Sequence, residues 1–194
     1  NPLKIIFLST NESTETISNP RTLIITESNT QATLIEGYAG ITQTPYLSNA
    51  VTEIVVGQGS NINYYKTQLQ NDNAFHISNT DVILQRDSHM ASVNIDLGGR
   101  LVRNNLNVTT AEENSSCKLN GLYMVTGSQH IDNQVIIDHA KPYTNSRELY
   151  KGILDGKSRS VFHGSIIVRE GAEKVDAHQI DKNLLLSNEA EADT

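Results

Sequence analysis

A formal net charge of −7 over 194 residues, with no cluster of Lys and Arg, excludes a surface built to follow nucleic-acid phosphates. Hydrophobic residues make up 37% of the sequence, below the roughly 45–50% usual for globular domains counted with glycine, which predicts a narrow core. No stretch approaches the roughly 18 apolar residues of a membrane span, and no leader-like segment opens the chain. We therefore expect a soluble protein with neither a nucleic acid nor a membrane as partner.

The chain has a single cysteine, Cys117, and so no internal disulfide, which favours the cytoplasm. Twenty Asn residues are present, many at positions expected to be corners, where Asn tolerates a left-handed backbone. In so Asn-rich a chain we take the three glycosylation-type triplets to be accidental: Asn11-Glu12-Ser13, Asn107-Val108-Thr109 and Asn114-Ser115-Ser116.

The first fifty residues predict short strands separated by loops. Three apolar runs predict strands: Lys4–Leu8, Leu23–Ile25 and Thr33–Ile35. Glu27-Ser28-Asn29 predicts a turn, Ser9–Ser18 a polar loop, and Gly37–Asn49 a second loop that contains Pro45.

From Thr52 onward the sequence repeats with a period of about 28 residues, as stacked solenoid turns do. Five corner residues are spaced at this period, and small residues follow them: Gly59, Asp87, Ser115, Tyr143 and Gly171. Apolar runs precede these corners: Ile54-Val55-Val56, Val82-Ile83-Leu84, Leu106-Asn107-Val108, Val135-Ile136-Ile137 and Ile166-Ile167-Val168. The repeat predicts one continuous domain over residues 1–194, with entry strands and loops in 1–50 and the regular coil in 51–194.

Within the repeat, Val93–Leu97 alternates most clearly, and we expect its apolar residues to face inward and Asn94 and Asp96 outward. Ser146–Leu154 is compatible with a short helix, but its position in the repeat favours a strand. Val161–Leu186 has no helix-length amphipathic segment and predicts three short strands joined by corners, with Ile167 facing the core.

Neither end of the sequence resembles a natural terminus, because the chain begins at Asn1 and stops at Thr194 without a capping helix. We expect an excised middle piece whose open strand edges allow self-association.

Few residues are candidates for chemistry, and each has a simpler structural interpretation. Gly57-Gln58-Gly59 resembles the start of a dinucleotide fingerprint, but Ile62 replaces the third glycine, so we assign it to a corner. Asp176 and His178 share one strand face, as a metal or acid–base pair would, but with no third ligand we interpret them as the solvated face opposite Val175 and Ala177.

His89 and Cys117 are separated by one repeat period, so they could stack on adjacent turns and hold a soft metal or part of an iron–sulfur cluster. The alternative is that Cys117 is a small buried hydrophobe. The side chain of His163 could project from its strand towards the core or towards solvent. Three other histidines have no partner at metal spacing: His76, His130 and His139. We therefore assign no catalytic, cofactor-binding or metal-binding residue.

The stretch Val161–Leu186, which predicts three short strands, also carries a family resemblance. Residues 161–194 resemble the SufB/SufD family of the SUF iron–sulfur cluster assembly system, through Phe162, Gly164, Ala177, Gln179 and the run Asn183-Leu184-Leu185-Leu186. Further matching segments lie upstream: Asn19-Pro20-Arg21, Thr33-Leu34-Ile35-Glu36 and Leu149–Leu154. Gln179 and the Asn183–Leu186 run favour the SufD side of the family over SufB.

The resemblance implies a right-handed parallel β-helix that pairs with a SufB-like paralogue, while a helical segment binds a SufC-like ATPase. It implies a non-enzymatic scaffold that supports iron supply to a nascent cluster, with the cluster belonging to the full complex and no cofactor bound by this piece. The family's Cys-Ser-His-Gly-type segment would follow Thr194, and no residue here matches it. The alternative is a β-helix polysaccharide lyase, which would take its carboxylates from different turns.

Overall fold

The computed structural model describes residues 1–10, 14–41 and 43–194. These residues form strands and loops without a helix, and therefore none long and apolar enough to cross a membrane. The strands of this described part are β1 (Leu3–Ser9), β2 (Thr16–Ser18), β3 (Arg21–Ile25), β4 (Gln31–Gly40), β5 (Tyr46–Val56), β6 (Asn61–Leu69), β7 (Phe75–Leu84), β8 (His89–Asp96), β9 (Leu101–Thr110), β10 (Ser116–Val125), β11 (His130–His139), β12 (Asn145–Leu154), β13 (Arg159–Val168), β14 (Asp176–Leu185) and β15 (Glu191–Asp193). The triplet at 11–13, with that part of the predicted loop 9–18, lies outside the described residues.

The strands form two parallel sheets that the chain visits alternately. Sheet 1 has the order β1-β4-β6-β8-β10-β12-β14, and sheet 2 the order β15-β13-β11-β9-β7-β5-β2, with β3 also paired to β5. Each strand therefore pairs with the strand one turn later, over about six turns. The prediction of a parallel β-helix is confirmed.

The length of a turn varies around the predicted period. The turn that pairs Phe75 with Leu101 is shorter than the period, whereas the turn that pairs Arg159 with Glu191 is longer. Over four turns the variation cancels, because Ile54 connects through successive pairs to Ile166, four full periods later. The pairing of Leu3 with Leu34 places β1 in sheet 1, so the coil begins before residue 52.

One side of the interior is lined by a column of aliphatic residues from successive turns of sheet 2, which we call the aliphatic column: Ile54, Val82, Val108, Ile137 and Ile166. The first four are at most 1% exposed. Strand positions alternate between the two faces, so the residues beside them point outward. Ile167 pairs with the outward Asp138, and the prediction that Ile167 faces the core is wrong.

The corners that follow sheet 2 repeat one backbone conformation. Their central residues have positive φ angles: Asn29, Gly59, Asp87, Asn114, Tyr143 and Lys174. The predicted corners at Gly59, Asp87, Tyr143 and Gly171 are correct: Gly171 has a φ of 79° in the turn that follows β13, and the longer corner there also contains Lys174. Asn114 takes the place of Ser115, because that turn is shorter than the mean period. Gly57-Gln58-Gly59 is a corner, as predicted.

Two predicted elements are wrong and one is confirmed. Residues 161–186 contain parts of β13 and all of β14, two long strands in place of three short ones. The predicted loop Gly37–Asn49 is largely the end of β4 and the start of β5. Ser146–Leu154 is a strand within β12, as its position in the repeat predicted.

Candidate functional site

A cluster of polar side chains fills the interior where β6, β7, β8 and β9 face one another. We call these residues the polar cluster: Lys66, Ser78, Asn94, Asp96 and Asn104. All are more than nine-tenths buried. The prediction that Asn94 and Asp96 face solvent is wrong. They point inward because the other side chains of the cluster supply hydrogen-bond partners, while Leu97 is exposed.

Hydrogen bonds join these side chains across the two sheets. Lys66 Nζ donates to Asn104 Oδ1 at 3.0 Å and also to Ser78 Oγ, which in turn donates to Asn104 Oδ1 at 2.8 Å. Asp96 Oδ2 accepts from Asn104 Nδ2 at 3.0 Å and from Asn94 Nδ2 at 2.6 Å. The second carboxylate oxygen, Asp96 Oδ1, has no hydrogen-bond partner among the described residues.

Burial disfavours charge on both ionisable members of the cluster. It lowers the pKa of Lys66, against the opposing effect of the Asp96 and Glu36 carboxylates. It raises the pKa of Asp96 to about 6, although Lys66 and the two Asn amides act in the opposite direction. Burial thus favours the neutral form of both groups, whereas their attraction to each other favours the charged forms.

A second buried carboxylate, Glu36, lies near the polar cluster. Tyr38 Oη donates to Glu36 Oε1 at 2.5 Å, and Thr52 Oγ1 lies 3.1 Å from both carboxylate oxygens. Burial, with Glu36 beside it, raises the pKa of Tyr38, while burial and then Lys66 lower the pKa of His76. His76 packs edge-on against Tyr38, with ring centroids 4.6 Å apart, and is held as a neutral imidazole.

Farther along the coil, Glu148 on β12 is buried without a hydrogen-bond partner for either oxygen in the described chain. Burial, and then Asp181, raises the pKa of this carboxyl to about 7. Burial, and then Glu148, raises the pKa of the Cys117 thiol to about 12, so the thiol stays protonated. A protonated thiol is a weak nucleophile and a poor metal ligand.

The structure does not bring His89 and Cys117 together, although the sequence spacing suggested it. His89 pairs with Ser116, and its Nδ1 lies 2.7 Å from Ser116 Oγ on the outer face. Cys117 pairs with Met90 and points inward. A turn one residue shorter than the period thus places the two side chains on opposite faces of the sheet.

Asp176 and His178 do share the outer face of β14, with His178 Nε2 3.2 Å from Asp176 Oδ1. Arg147 Nη2 lies 2.5 Å from Asp176 Oδ2, and this hydrogen bond is the main cause that lowers the pKa of Asp176. His163 is exposed on β13. Across residues 1–10, 14–41 and 43–194, no three His, Cys, Asp or Glu side chains are grouped to hold a metal ion.

Sequence reasoning missed the polar interior, although one signal for it was present. In β6, Ile62, Tyr64, Lys66 and Gln68 occupy alternate positions and share the inward face. A lysine on the same strand face as a buried isoleucine can be recognised as buried only once the strand is known and the face that points inward is known. What this interior can do chemically is hold the two sheets together by directional hydrogen bonds, with one buried amine and one buried carboxyl among the bonded groups.

The fold defines the class of protein first: a parallel β-helix with a polar interior. Residues 7–194 match the family described as "SUF system FeS cluster assembly, SufBD core domain", and the chain belongs to that family. It is SufD-like, as the sequence resemblance indicated.

Several curated relatives place the chain within the family. Over its whole length it is 30% identical to the SufBD family protein slr0076 of Synechocystis, covering 44% of that protein. Over 84% of its length it is 31% identical to SufD of Escherichia coli, covering 39% of that protein. Over 90% of its length it is 29% identical to the chloroplastic protein ABCI7 of Arabidopsis thaliana, covering 37% of that protein. The chain thus spans less than half of each of these relatives.

Proposed function

We propose that this chain is the core of a non-enzymatic scaffold subunit for iron–sulfur cluster assembly, which pairs with a SufB-like paralogue and a SufC-like ATPase. The observation that carries the proposal is the family match over residues 7–194, nearly all of the chain. Two parallel sheets closed around a hydrogen-bonded interior provide a rigid body on which other subunits can be held.

The partners are tested by co-expressing the full-length protein with its SufB-like and SufC-like neighbours, one of them tagged, and purifying by the tag. A stable complex containing all three proteins is the expected result. An outward substitution such as Ile136→Asp in β11 serves as a control for folding. A full-length protein that folds but never co-purifies would contradict the pairing.

The iron–sulfur cluster is the cargo of this function, and we propose that the subunit supports delivery of iron to it. The test compares the iron and acid-labile sulfide content of complexes reconstituted with and without the subunit. We expect lower iron content without it. Equal content in both complexes would overturn the iron-supply role and leave the scaffold role intact.

We also propose that the protein acts in the cytoplasm, which cell fractionation tests, and that the isolated chain self-associates through its outer strands. β14 pairs only with β12, and β1 only with β4, among the strands of the described residues. Size-exclusion chromatography over a range of concentrations tests the self-association.

The polysaccharide-lyase alternative gains no support from the carboxyls with raised pKa values of about 6 and about 7, because Asp96 and Glu148 are buried where a polymer cannot reach them.

A further inference from the structure

We propose that Lys66 and Asn104 form an intramolecular amide cross-link between the two sheets, in a self-catalysed reaction assisted by Asp96. The inference does not depend on the proposed function, since it rests on three side chains inside the coil. Lys66 comes from β6 in sheet 1 and Asn104 from β9 in sheet 2, so the bond would span the interior.

The nucleophile and the electrophile are already in contact. Lys66 Nζ lies 3.0 Å from Asn104 Oδ1, which is one bond from the amide carbon. To react, the amine must leave this hydrogen bond and approach that carbon from one face of the amide plane. Reaching that carbon requires no movement of either sheet, because both groups project into the same interior.

The orientation of the Asn104 amide is fixed by its partners. Its nitrogen donates to Asp96 Oδ2 and to Asn133 Oδ1, each at 3.0 Å, and its oxygen accepts from Lys66 and Ser78. Donors face the oxygen and acceptors face the nitrogen, so the reverse orientation would lose these bonds. The leaving nitrogen therefore faces the acid, and the carbonyl oxygen faces a hydroxyl that stabilises developing negative charge.

The reaction needs Lys66 as a neutral amine and Asp96 as a protonated carboxyl, a state that has the same net charge as the ionised pair. Burial acts in that direction on each group, lowering the pKa of the amine and raising that of the acid to about 6. Other ionisable groups near this pair are Glu36, which favours the charged amine, His76, which is kept neutral, and Tyr150, whose pKa is raised by burial and then by Glu148 and Asp96.

The atoms balance without an oxidant or other co-reactant. The Lys66 nitrogen attacks the Asn104 carbonyl carbon and forms a C–N bond, while Ser78 stabilises the tetrahedral oxyanion. Asp96 gives its proton to the departing amide nitrogen and takes one from the new ammonium. The bond to Nδ2 then breaks, and the products are a secondary amide and ammonia.

The surroundings suit this chemistry because the reacting groups are buried and a small cavity beside them can receive the product. The reacting groups are more than nine-tenths buried, which protects the tetrahedral intermediate and the amide from hydrolysis. A cavity of about 20 Å³ is bounded by Lys66, Ser78, Asn94 and Asn104. That is enough for a molecule of the size of water or ammonia.

The test is the intact mass of the purified full-length protein, followed by peptide mapping. We expect a mass lower than that of the sequence by about 17 Da, the mass of ammonia, and a proteolytic peptide pair joined through Lys66 and Asn104. Protein kept unfolded in urea from synthesis onward should retain the full mass, because the reaction needs the folded site.

Variants distinguish the reaction from an unrelated loss. Asn104→Asp replaces the leaving group, so the loss should become about 18 Da, the mass of water. Asp96→Asn should abolish or greatly slow the loss, and Asn63→Ala, at an exposed position of β6, should leave it unchanged. Circular dichroism confirms that each variant is folded. Folded wild-type protein that keeps its full mass after prolonged incubation and gives no joined peptide would overturn the proposal.

Discussion

Two sides of the same interior are built from opposite kinds of residue. The aliphatic column, from Ile54 to Ile166, leads into the corners with positive φ, whereas the polar cluster around Lys66 lies towards the other ends of the strands. The same alternation along the strands turns both sets inward. The comparison shows that a solenoid interior can contain either kind of residue. Hydrogen bonds offset most of the cost of burying the polar cluster, whereas Asp96 Oδ1 and both oxygens of Glu148 have no partner among the described residues.

The largest expected effect comes from placing a charge in the aliphatic column. Ile137→Asp should cost about 3–5 kcal/mol or prevent folding, because the carboxylate would be buried without a partner. Ile136→Asp is the matched control, because Ile136 is the neighbouring residue on the same strand and is 38% exposed. Urea unfolding followed by circular dichroism measures both, and equal losses would show that the two faces are not distinct.

The polar side of the interior should make stability depend on pH through Glu148. Its pKa rises from an ordinary 4.5 to about 7 in the folded state, so the folded protein binds the proton more tightly. Stability should therefore be greatest below pH 4.5 for this group and fall as the pH rises towards 7, by up to about 3 kcal/mol.

Glu148→Gln should reduce that slope, although Asp96 contributes in the same direction through its own raised pKa. Chemical denaturation at a series of pH values measures the slope. An identical slope in the variant would mean that Glu148 is ionised in the fold without penalty.

Exchanging one side chain in each direction sharpens the comparison. Thr52→Val removes a donor to the buried Glu36 carboxylate and should cost about 1–3 kcal/mol. Val82→Thr places an unpartnered hydroxyl in the aliphatic column and should cost a similar amount, again about 1–3 kcal/mol. The outward Thr109→Val is the control, and thermal unfolding of the three variants ranks them. A stabilising Val82→Thr would show that the column tolerates polar groups.

The smallest effect is expected at the corners. Tyr143 has a φ of 60°, which an aromatic residue adopts less readily than Asn does. Tyr143→Asn should raise stability by about 0.5 kcal/mol, reduced by loss of its contact with Lys174. Asn114→Tyr is the reciprocal variant and should lower the melting temperature; an increase would contradict the argument.

The success of the sequence analysis depended on which side of the interior a residue lines. Apolar runs such as Val82–Leu84 recur visibly, so the coil, its mean period and four of its corners could be predicted. His89 and Cys117 were placed together only because each turn was assumed to have the same length. The register of hydrogen-bonded pairs decides that length, and a single-residue difference reverses the face.

By itself, the sequence determined the repetition of short strands and corners, and the family resemblance, because both are local patterns that survive variation in turn length. Only the tertiary structure decided that Lys66, Asp96 and Asn104 meet inside the coil. A polar side chain on an alternating strand can face either way until its partners, supplied by strands far apart in the sequence, compensate the loss of water.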